Sequence, residues 1–558
     1  KSKFFYILLA TQGIFLYVGI AYKDDAIFIR GEPLMKKFMT LLLAAGLVFS
    51  AASSASAIDF KAQGQWLVGF AGGQGNFVDK TRTTADGKKK ADSSDRFSAA
   101  QRIRLQLDAV ASEALSGTVY FEIGDQTWGS GGTYGKGSGG AMGADGVAVE
   151  VKRAYIDWTV PETTLAFRMG IQGLTLPNAA GGSAVLDDDG AAVTFHMQFN
   201  ENVGLTGMWA RPLNDNYDVQ DGDYSGNNKK SYLDNIDLFA LTLPLTFDGI
   251  EVTPWAMLGV IGQNAFRSGA DNATTDVTPY MTSNYMSDRW NSGDSFERTK
   301  NANTTAFWAG LPVKLTLWDP FNIEFDINYG YVSSQGRGSI ERSDGAGKTR
   351  FSTERQGWLA KALVEYKMDW GTPGIFGWYA SGDDDNPKNG SERMPAVSPS
   401  TNLTSFMGDG NWGWASSGSL YDRNLDYAGT WGIGLQIANM SFVEDLKHTF
   451  RVAYWGGTNS PTMAKYAAHP WSYESGWGGS YNDSFANAEP ELYLTTNDGL
   501  LEFNLVNSYQ MYENFEINLE LGYVVNFIDN DTWKKANRAE SMDNQDAWKA
   551  QLIFAYTF

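Results

Sequence analysis

The chain has 558 residues, 43% of them hydrophobic, and its 64 acidic and 44 basic residues give a net charge of −20. It contains no cysteine, which excludes a disulfide framework, thiolate metal sites and cysteine redox chemistry. The acidic balance argues against nucleic acid as a partner. Beyond the first sixty residues no run of eighteen apolar residues occurs, so a helical membrane protein is excluded as well.

The first 57 residues have the composition of an export signal preceded by an extra segment. Residues 35–57 combine a basic start at Met35, an apolar core and the small-residue cleavage motif Ala55-Ser56-Ala57. We expect them to be a signal peptide, and the mature protein, a single barrel domain over residues 58–558, to begin at Ile58. We interpret residues 1–34 as upstream sequence outside the mature protein. A genuine extra membrane anchor is the alternative.

Segments in which apolar and polar residues alternate follow throughout the mature chain. This alternation is typical of strands with one face in lipid and the other in water. Eighteen such segments are joined alternately by turns of 3 to 6 residues and loops of 14 to 46 residues. The segments cover residues 58–70, 95–110, 115–124, 147–160, 164–176, 191–199, 203–210, 234–246, 250–262, 304–317, 321–332, 353–368, 374–380, 427–441, 448–455, 497–511, 515–528 and 546–558.

This pattern predicts an all-β protein, a transmembrane antiparallel β-barrel of 18 strands with short periplasmic turns and long extracellular loops. Sixteen strands is the alternative. Segment 374–380 is short, and Pro244, Pro254 and Pro312 each remove a ladder donor from a predicted strand. Eighteen strands enclose a backbone radius of roughly 18 Å, so the lumen must hold water and be narrowed by another element.

Charged side chains collect on the predicted lumen face of the second to fifth segments. Leu105 and Leu107 face lipid, so Arg104 and Gln106 face the lumen. The third long loop, residues 177–190, is small and apolar at first and ends in three aspartates. Folded inward, it would set these carboxylates opposite the arginines across an eyelet that selects solutes by size and charge. The predicted constriction consists of Arg102, Arg104, Glu122, Arg153, Arg168, Asp187, Asp188 and Asp189.

A second interpretation of the same residues assigns them no role in selecting solutes. The three aspartates would then form a solvated turn, and the arginines would pair with barrel glutamates. The adjacent charges Asp383, Asp384 and Asp385 are weak calcium candidates, with a solvated acidic loop as the default because no complete oxygen-ligand loop is present. The three histidines lack the spacing of a metal pair. We therefore predict no other metal, no cofactor and no enzymatic activity.

The last segment ends on Phe558 after an alternating apolar face. It resembles the C-terminal signal by which outer-membrane barrels engage the barrel assembly machinery. The acidic external loops suit a surface among divalent cations and lipopolysaccharide. Several loops also carry tryptophans, which indicate either an interfacial girdle or a path for sugars. These are Trp290, Trp412, Trp414, Trp471 and Trp477.

Four segments carry a resemblance to a known family: residues 58–62 (IDFKA), 101–113 (QRIRLQLDAVASE), 151–158 (VKRAYIDW) and 168–177 (RMGIQGLTLP). Together they resemble the outer-membrane homotrimeric porins of sulfate-reducing, Desulfovibrio-type bacteria, most specifically between Ile58 and Arg211. The resemblance implies a trimer of water-filled barrels in the bacterial outer membrane, with the third loop narrowing each pore. We expect passive diffusion of ions and small hydrophilic solutes. A substrate-specific channel for a sugar or an organic anion is the alternative.

Overall fold

The structure is a computed structural model that describes residues 58–74, 96–129, 149–213, 235–262, 303–334, 348–408, 427–467, 493–536 and 542–558, together with short segments between them. The chain divides into two units, residues 1–60 and residues 61–558. In the first unit, strands Tyr6–Ile7 and Val18–Gly19 pair antiparallel. The rest of residues 1–57, including the predicted cleavage site, lies outside the described residues, so the signal peptide and the upstream segment stay predictions.

The second unit contains a closed antiparallel barrel. Within its described residues, twenty strand segments join edge to edge. In two places, two successive segments are the halves of a single interrupted strand, so the barrel has 18 strands. The strands are β1 Asp59–Gln74, β2 Arg96–Ser112, β3 Leu115–Thr127, β4 Val149–Thr159, β5 Leu165–Thr175, β6 Asp187–Gln198, β7 Gly204–Leu213, β8 Ile236–Thr242 with Leu245–Phe247, β9 Ile250–Val252 with Trp255–Ile261, β10 Thr304–Leu315, β11 Phe321–Val332, β12 Arg355–Tyr366, β13 Thr372–Ala380, β14 Thr430–Val443, β15 Leu446–Gly457, β16 Gly499–Tyr512, β17 Phe515–Asn526 and β18 Ala547–Thr557.

Prolines mark the two interruptions. Pro244 separates the halves of β8, and Pro254 separates the halves of β9. A proline has no N–H to donate to the neighbouring strand, so the ladder breaks there. Pro312 stays within β10, where its carbonyl accepts a hydrogen bond from the Thr253 amide at 3.2 Å. All three proline-containing segments are therefore strands, and the alternative of sixteen strands is wrong.

Connections of two kinds alternate around the barrel. In the described part of the chain the turns that follow β2, β4 and every second strand thereafter have two to five residues. Gly249 and Asp445 have φ of 69° and 60° in two such two-residue turns, the left-handed conformation that tight hairpins require. The long connections on the opposite rim include helices α1 Ala464–Ala467 and α2 Asn530–Ala536. No described helix is long and apolar enough to cross a membrane.

The two faces of the wall differ in exposure. On β11, Phe325 and Ile327 are 39% and 43% exposed on the outside, whereas Asp326 between them is 1% exposed. The outer face is therefore an apolar belt and the inner face is polar. Closure between β18 and β1 pairs Trp548 with Gln74 and Thr557 with Gln65. A closed barrel with an apolar belt leaves no unpaired edge to lipid, and this is the architecture of β-barrels of the bacterial outer membrane.

Candidate functional site in the barrel lumen

The third loop, which in the structure comprises residues 176–186 between β5 and β6, folds into the barrel. The Asp326 carboxylate, on the inner face of β11, accepts hydrogen bonds from the amides of Ala179 at 3.1 Å and Ala180 at 2.6 Å. Lys361, on the inner face of β12, donates to the Gly182 carbonyl and lies 3.8 Å from Asp326. The loop thus leaves the wall between β5 and β6 and is held at β11 and β12, across part of the lumen.

The composition of this loop suits an interior position. Residues 177–186 contain no charged side chain, so the loop can be buried without placing an unpaired charge in the interior. Gly181 and Gly182 have φ of 66° and 83°, and a Cβ on either would lie about 2.5 Å or less from the chain packed against it. Only glycine allows this backbone conformation together with this approach.

A second inward segment lies in the seventh loop, residues 381–429, of which the structure describes 381–408 and 427–429. Its backbone pairs with the third loop: the Ser400 amide donates to the Ser183 carbonyl at 2.9 Å, and the Val397 amide donates to the Val185 carbonyl at 2.8 Å. The sequence pattern predicts this loop to be extracellular, and the structure shows part of it inside the barrel. The apolar run Met394-Pro395-Ala396-Val397, like the Ala and Val of the third loop, was the available signal.

Buried charges also anchor the seventh loop. Glu502, on β16, accepts hydrogen bonds from the amides of Phe406 at 3.0 Å and Met407 at 3.2 Å. Lys549, on β18, donates to the Ser405 carbonyl at 2.9 Å and pairs with Glu520 at 2.9 Å. These side chains were missed because inward charge is common in a barrel, and sequence alone does not show that a loop reaches it.

The predicted arginines lie on β2, β4 and β5, and carboxylates pair with three of them. Arg104 contacts Glu122 at 2.6 Å. Arg168 makes two hydrogen bonds to Asp157, at 2.7 and 3.0 Å, and its guanidinium lies 4.2 Å from the centre of the Tyr155 ring. Arg102 is only 5% exposed. This wall therefore carries ion pairs rather than uncompensated positive charge.

The three predicted aspartates belong to strand β6, so their assignment to the loop is wrong. Each pairs with a residue of β5, and neighbouring positions on a strand point to opposite faces. Asp188 accepts a hydrogen bond from Ser398 of the seventh loop at 2.9 Å. Asp189 instead contacts Lys152 at 2.7 Å and Arg153 at 2.6 Å. Asp187 accepts from Thr175 at 2.6 Å.

Two of the three calcium candidates, Asp383 and Asp384, accept hydrogen bonds from neighbouring residues. Asp383 is buried and accepts from Ser391 at 2.6 Å and Tyr493 at 2.8 Å. Asp384 accepts from the Asn386 amide at 2.7 Å, and Asp385 is exposed. In the described part of the chain no three His, Cys, Asp or Glu side chains come together as a metal site. Burial raises the pKa of nearby Glu392 to about 7.

A cavity of about 480 Å³ opens against the inner wall of β4 to β8, beside the start of the third loop. Arg168, Gln172 and His196 are among its lining residues. Gln172 is 2% exposed and accepts a hydrogen bond from Thr194 at 3.0 Å. His196 Nδ1 lies 3.0 Å from Thr206 Oγ1. His469 lies outside the described residues. The inner wall therefore includes a partly open recess that both polar and apolar side chains line.

No protein-family model matches the chain, and no curated protein matches it. Several solved structures from Pseudomonas aeruginosa are similar to it. OpdQ is 12% identical, with 90% of this chain and 99% of that chain covered and a TM-score of 0.43. OccK2 (OpdF) in complex with glucuronate is 10% identical, with 90% of this chain and 99% of that chain covered and a TM-score of 0.45. OpdK with vanillate is 10% identical, with 89% and 98% covered and a TM-score of 0.43. These values are too low to indicate a solute or an oligomeric state for this chain.

Proposed function

We propose that this chain is a porin, a passive channel for ions and small hydrophilic solutes across the outer membrane. The observation that carries the proposal is the third loop held across a polar lumen by Asp326 and Lys361. Eighteen strands enclose a wide lumen, and an inward loop gives it a defined narrow zone. No energy-coupling element is required for diffusion through such a pore.

The narrow zone is proposed to be lined by the wall of β2 to β6. Arg104, Arg153 and Arg168 with Glu122 would meet permeating ions there, the buried Arg102 would act on them from within the wall, and Asp188 would meet them at the join of the two loops. Because the arginines pair with carboxylates, positive and negative charges alternate along this wall. We therefore expect weak ion selectivity. Charges inside a constriction act on ions at contact, whereas those at the mouth are screened beyond ~8 Å at physiological salt. Asp187 and Asp189 are proposed to hold β4, β5 and β6 together.

A substrate-specific channel for a sugar or an organic anion is the second candidate. The seventh loop favours it, because two paired inward loops leave less free lumen than one. The cavity beside the third loop favours it as well, since a general diffusion pore needs no recess on its path.

We also propose that the protein assembles as a homotrimer in contact with lipopolysaccharide and belongs with the porins of sulfate-reducing bacteria. The support is the resemblance of the four sequence segments. The C-terminal strand is proposed to engage the barrel assembly machinery, since β18 carries the outward aromatic set and closes the barrel. A non-enzymatic role follows from the same proposal.

Planar-bilayer recording of the purified protein tests this function. A porin should insert in steps of uniform, ohmic conductance, because water fills its lumen. Added sugar should leave the steps of a general pore unchanged after correction for bulk conductivity, and should reduce them saturably in a specific channel. Preparations heated until the barrel unfolds are the control. Folded protein that forms no conducting steps would refute the channel proposal.

A further inference from the structure

We propose that the cavity on β4 to β8 is a binding site for a neutral polyhydroxylated solute, such as a monosaccharide. This inference rests on the second candidate function, the substrate-specific channel, and names the solute class that the lumen would select. The cavity is about 480 Å³, within the ~300–1,000 Å³ range of small-molecule sites. Because it opens on the lumen beside the third loop, a solute held there lies on the permeation path.

Hydroxyl groups from adjacent strands form a row along the cavity wall. Thr194 on β6 pairs in register with Met208 on β7, and His196 on β6 pairs with Thr206, which in turn pairs with Thr242 on β8. Paired residues share a face of the sheet, and all of these residues line the cavity. A threonine hydroxyl both donates and accepts, as a sugar hydroxyl does. The row thus offers complementary partners to several ring hydroxyls at once.

The charges of the cavity cancel. Among the lining residues that the structure describes, only Arg168 and Asp157 are charged, and two hydrogen bonds of 2.7 and 3.0 Å join them. The guanidinium uses Nε and Nη2 for Asp157, which leaves Nη1 to donate to a neutral oxygen. An anion would have to compete with Asp157 for Arg168, and a cation would have to compete with Arg168 for Asp157. The site therefore favours neutral solutes.

Part of the remaining lining is apolar and suits the C–H faces of a pyranose. Leu174 and Leu176, at the end of β5 and the start of the third loop, are 6% and 3% exposed and line the cavity on the loop side. Met208 and Ala240 line it on the wall side. Hydroxyls on one part of the surface and aliphatic carbon on another match the amphipathic ring of a sugar better than a compact inorganic ion.

The test uses D-glucose and D-gluconate, two solutes of similar size of which only the second is an anion. Single-channel conductance in potassium chloride is measured with increasing concentrations of each, corrected for bulk conductivity. We expect glucose to reduce the wild-type conductance saturably and at lower concentration than gluconate does. The double variant T194V/T206V loses two hydroxyls with little change of shape, so its half-blocking glucose concentration should rise about ten- to thirtyfold.

T305V is the matched control, since Thr305 lies on the exposed outer face of β10, and it should keep the wild-type glucose response. Gluconate blocking at lower concentration than glucose would overturn the neutral-solute assignment. An unchanged glucose response in T194V/T206V, or no glucose response in a conducting wild type, would overturn the site. A folded wild-type protein without conductance would instead reject the channel function, and this inference with it.

Discussion

Replacing Asp326 by alanine should free the third loop and widen the pore. The Asp326 carboxylate holds the amides of Ala179 and Ala180, and hydrogen bonds to a charged group contribute about 1.5–3 kcal/mol each. Their loss, about 3–6 kcal/mol, is as large as the ~2–6 kcal/mol that the four backbone bonds from residues 397–402 to the third loop contribute together, so the loop loses about half of its anchoring. We expect larger single-channel conductance and more current noise from D326A than from wild type.

The same substitution should also destabilise the barrel, because it leaves Lys361 buried without its carboxylate. Breaking one partner of a buried ion pair costs about 3–5 kcal/mol, whereas removing both partners together costs far less. The double variant D326L/K361M should therefore recover most of the unfolding temperature, read as the shift of the folded band in gel electrophoresis. Its pore should stay wide, since the two amides still lack their acceptor.

D237A is the matched control for ion-pair loss away from the loop. Asp237 pairs with Arg211 at 2.8 Å, both side chains are partly exposed, and such a pair contributes about 0–1 kcal/mol. Its conductance should equal that of wild type. Wild-type conductance and noise in D326A, in protein shown to be folded, would refute the conclusion that Asp326 positions the third loop.

Three further predictions concern charge, pH and assembly. R104Q removes the partner of Glu122 and should shift the reversal potential in a salt gradient toward cations; an unchanged potential would place the narrow zone elsewhere. Burial raises the pKa of Glu392 to about 7. The folded seventh loop is therefore stabilised by protonated Glu392 at low pH and loses this stabilisation as the pH rises through about 7. Current noise of the wild type should increase in that pH range, whereas the noise of E392Q should not. Equal pH profiles would contradict this. F554K places a cation on the outer face of β18 at a cost of about 2–4 kcal/mol and should leave protein in the periplasm; normal folded barrel in the outer membrane would count against the lipid-facing assignment.

The sequence by itself determined the barrel. Lipid on one side of every strand and water on the other impose a period of two, and the chain shows that period from Asp59 to Phe558. Strand number, the order of turns and loops, and the inward placement of Arg104 and Arg168 all follow from it. Pro244 and Pro254 even marked the interruptions of β8 and β9, because a missing N–H is a property of the residue alone.

Beyond the inward course of the third loop, which its small apolar residues predict, only the tertiary structure decided what fills the lumen. The third loop meets Asp326 across a sequence separation of 147 residues, and the seventh loop meets Glu502 across 96. Local periodicity says nothing about such contacts, which is why the interior course of the seventh loop escaped the sequence reasoning. Asp187 to Asp189 belong to β6 rather than to the loop for the same reason. Their place depends on pairing with β5, and a run of three acidic residues carries no alternation to reveal it.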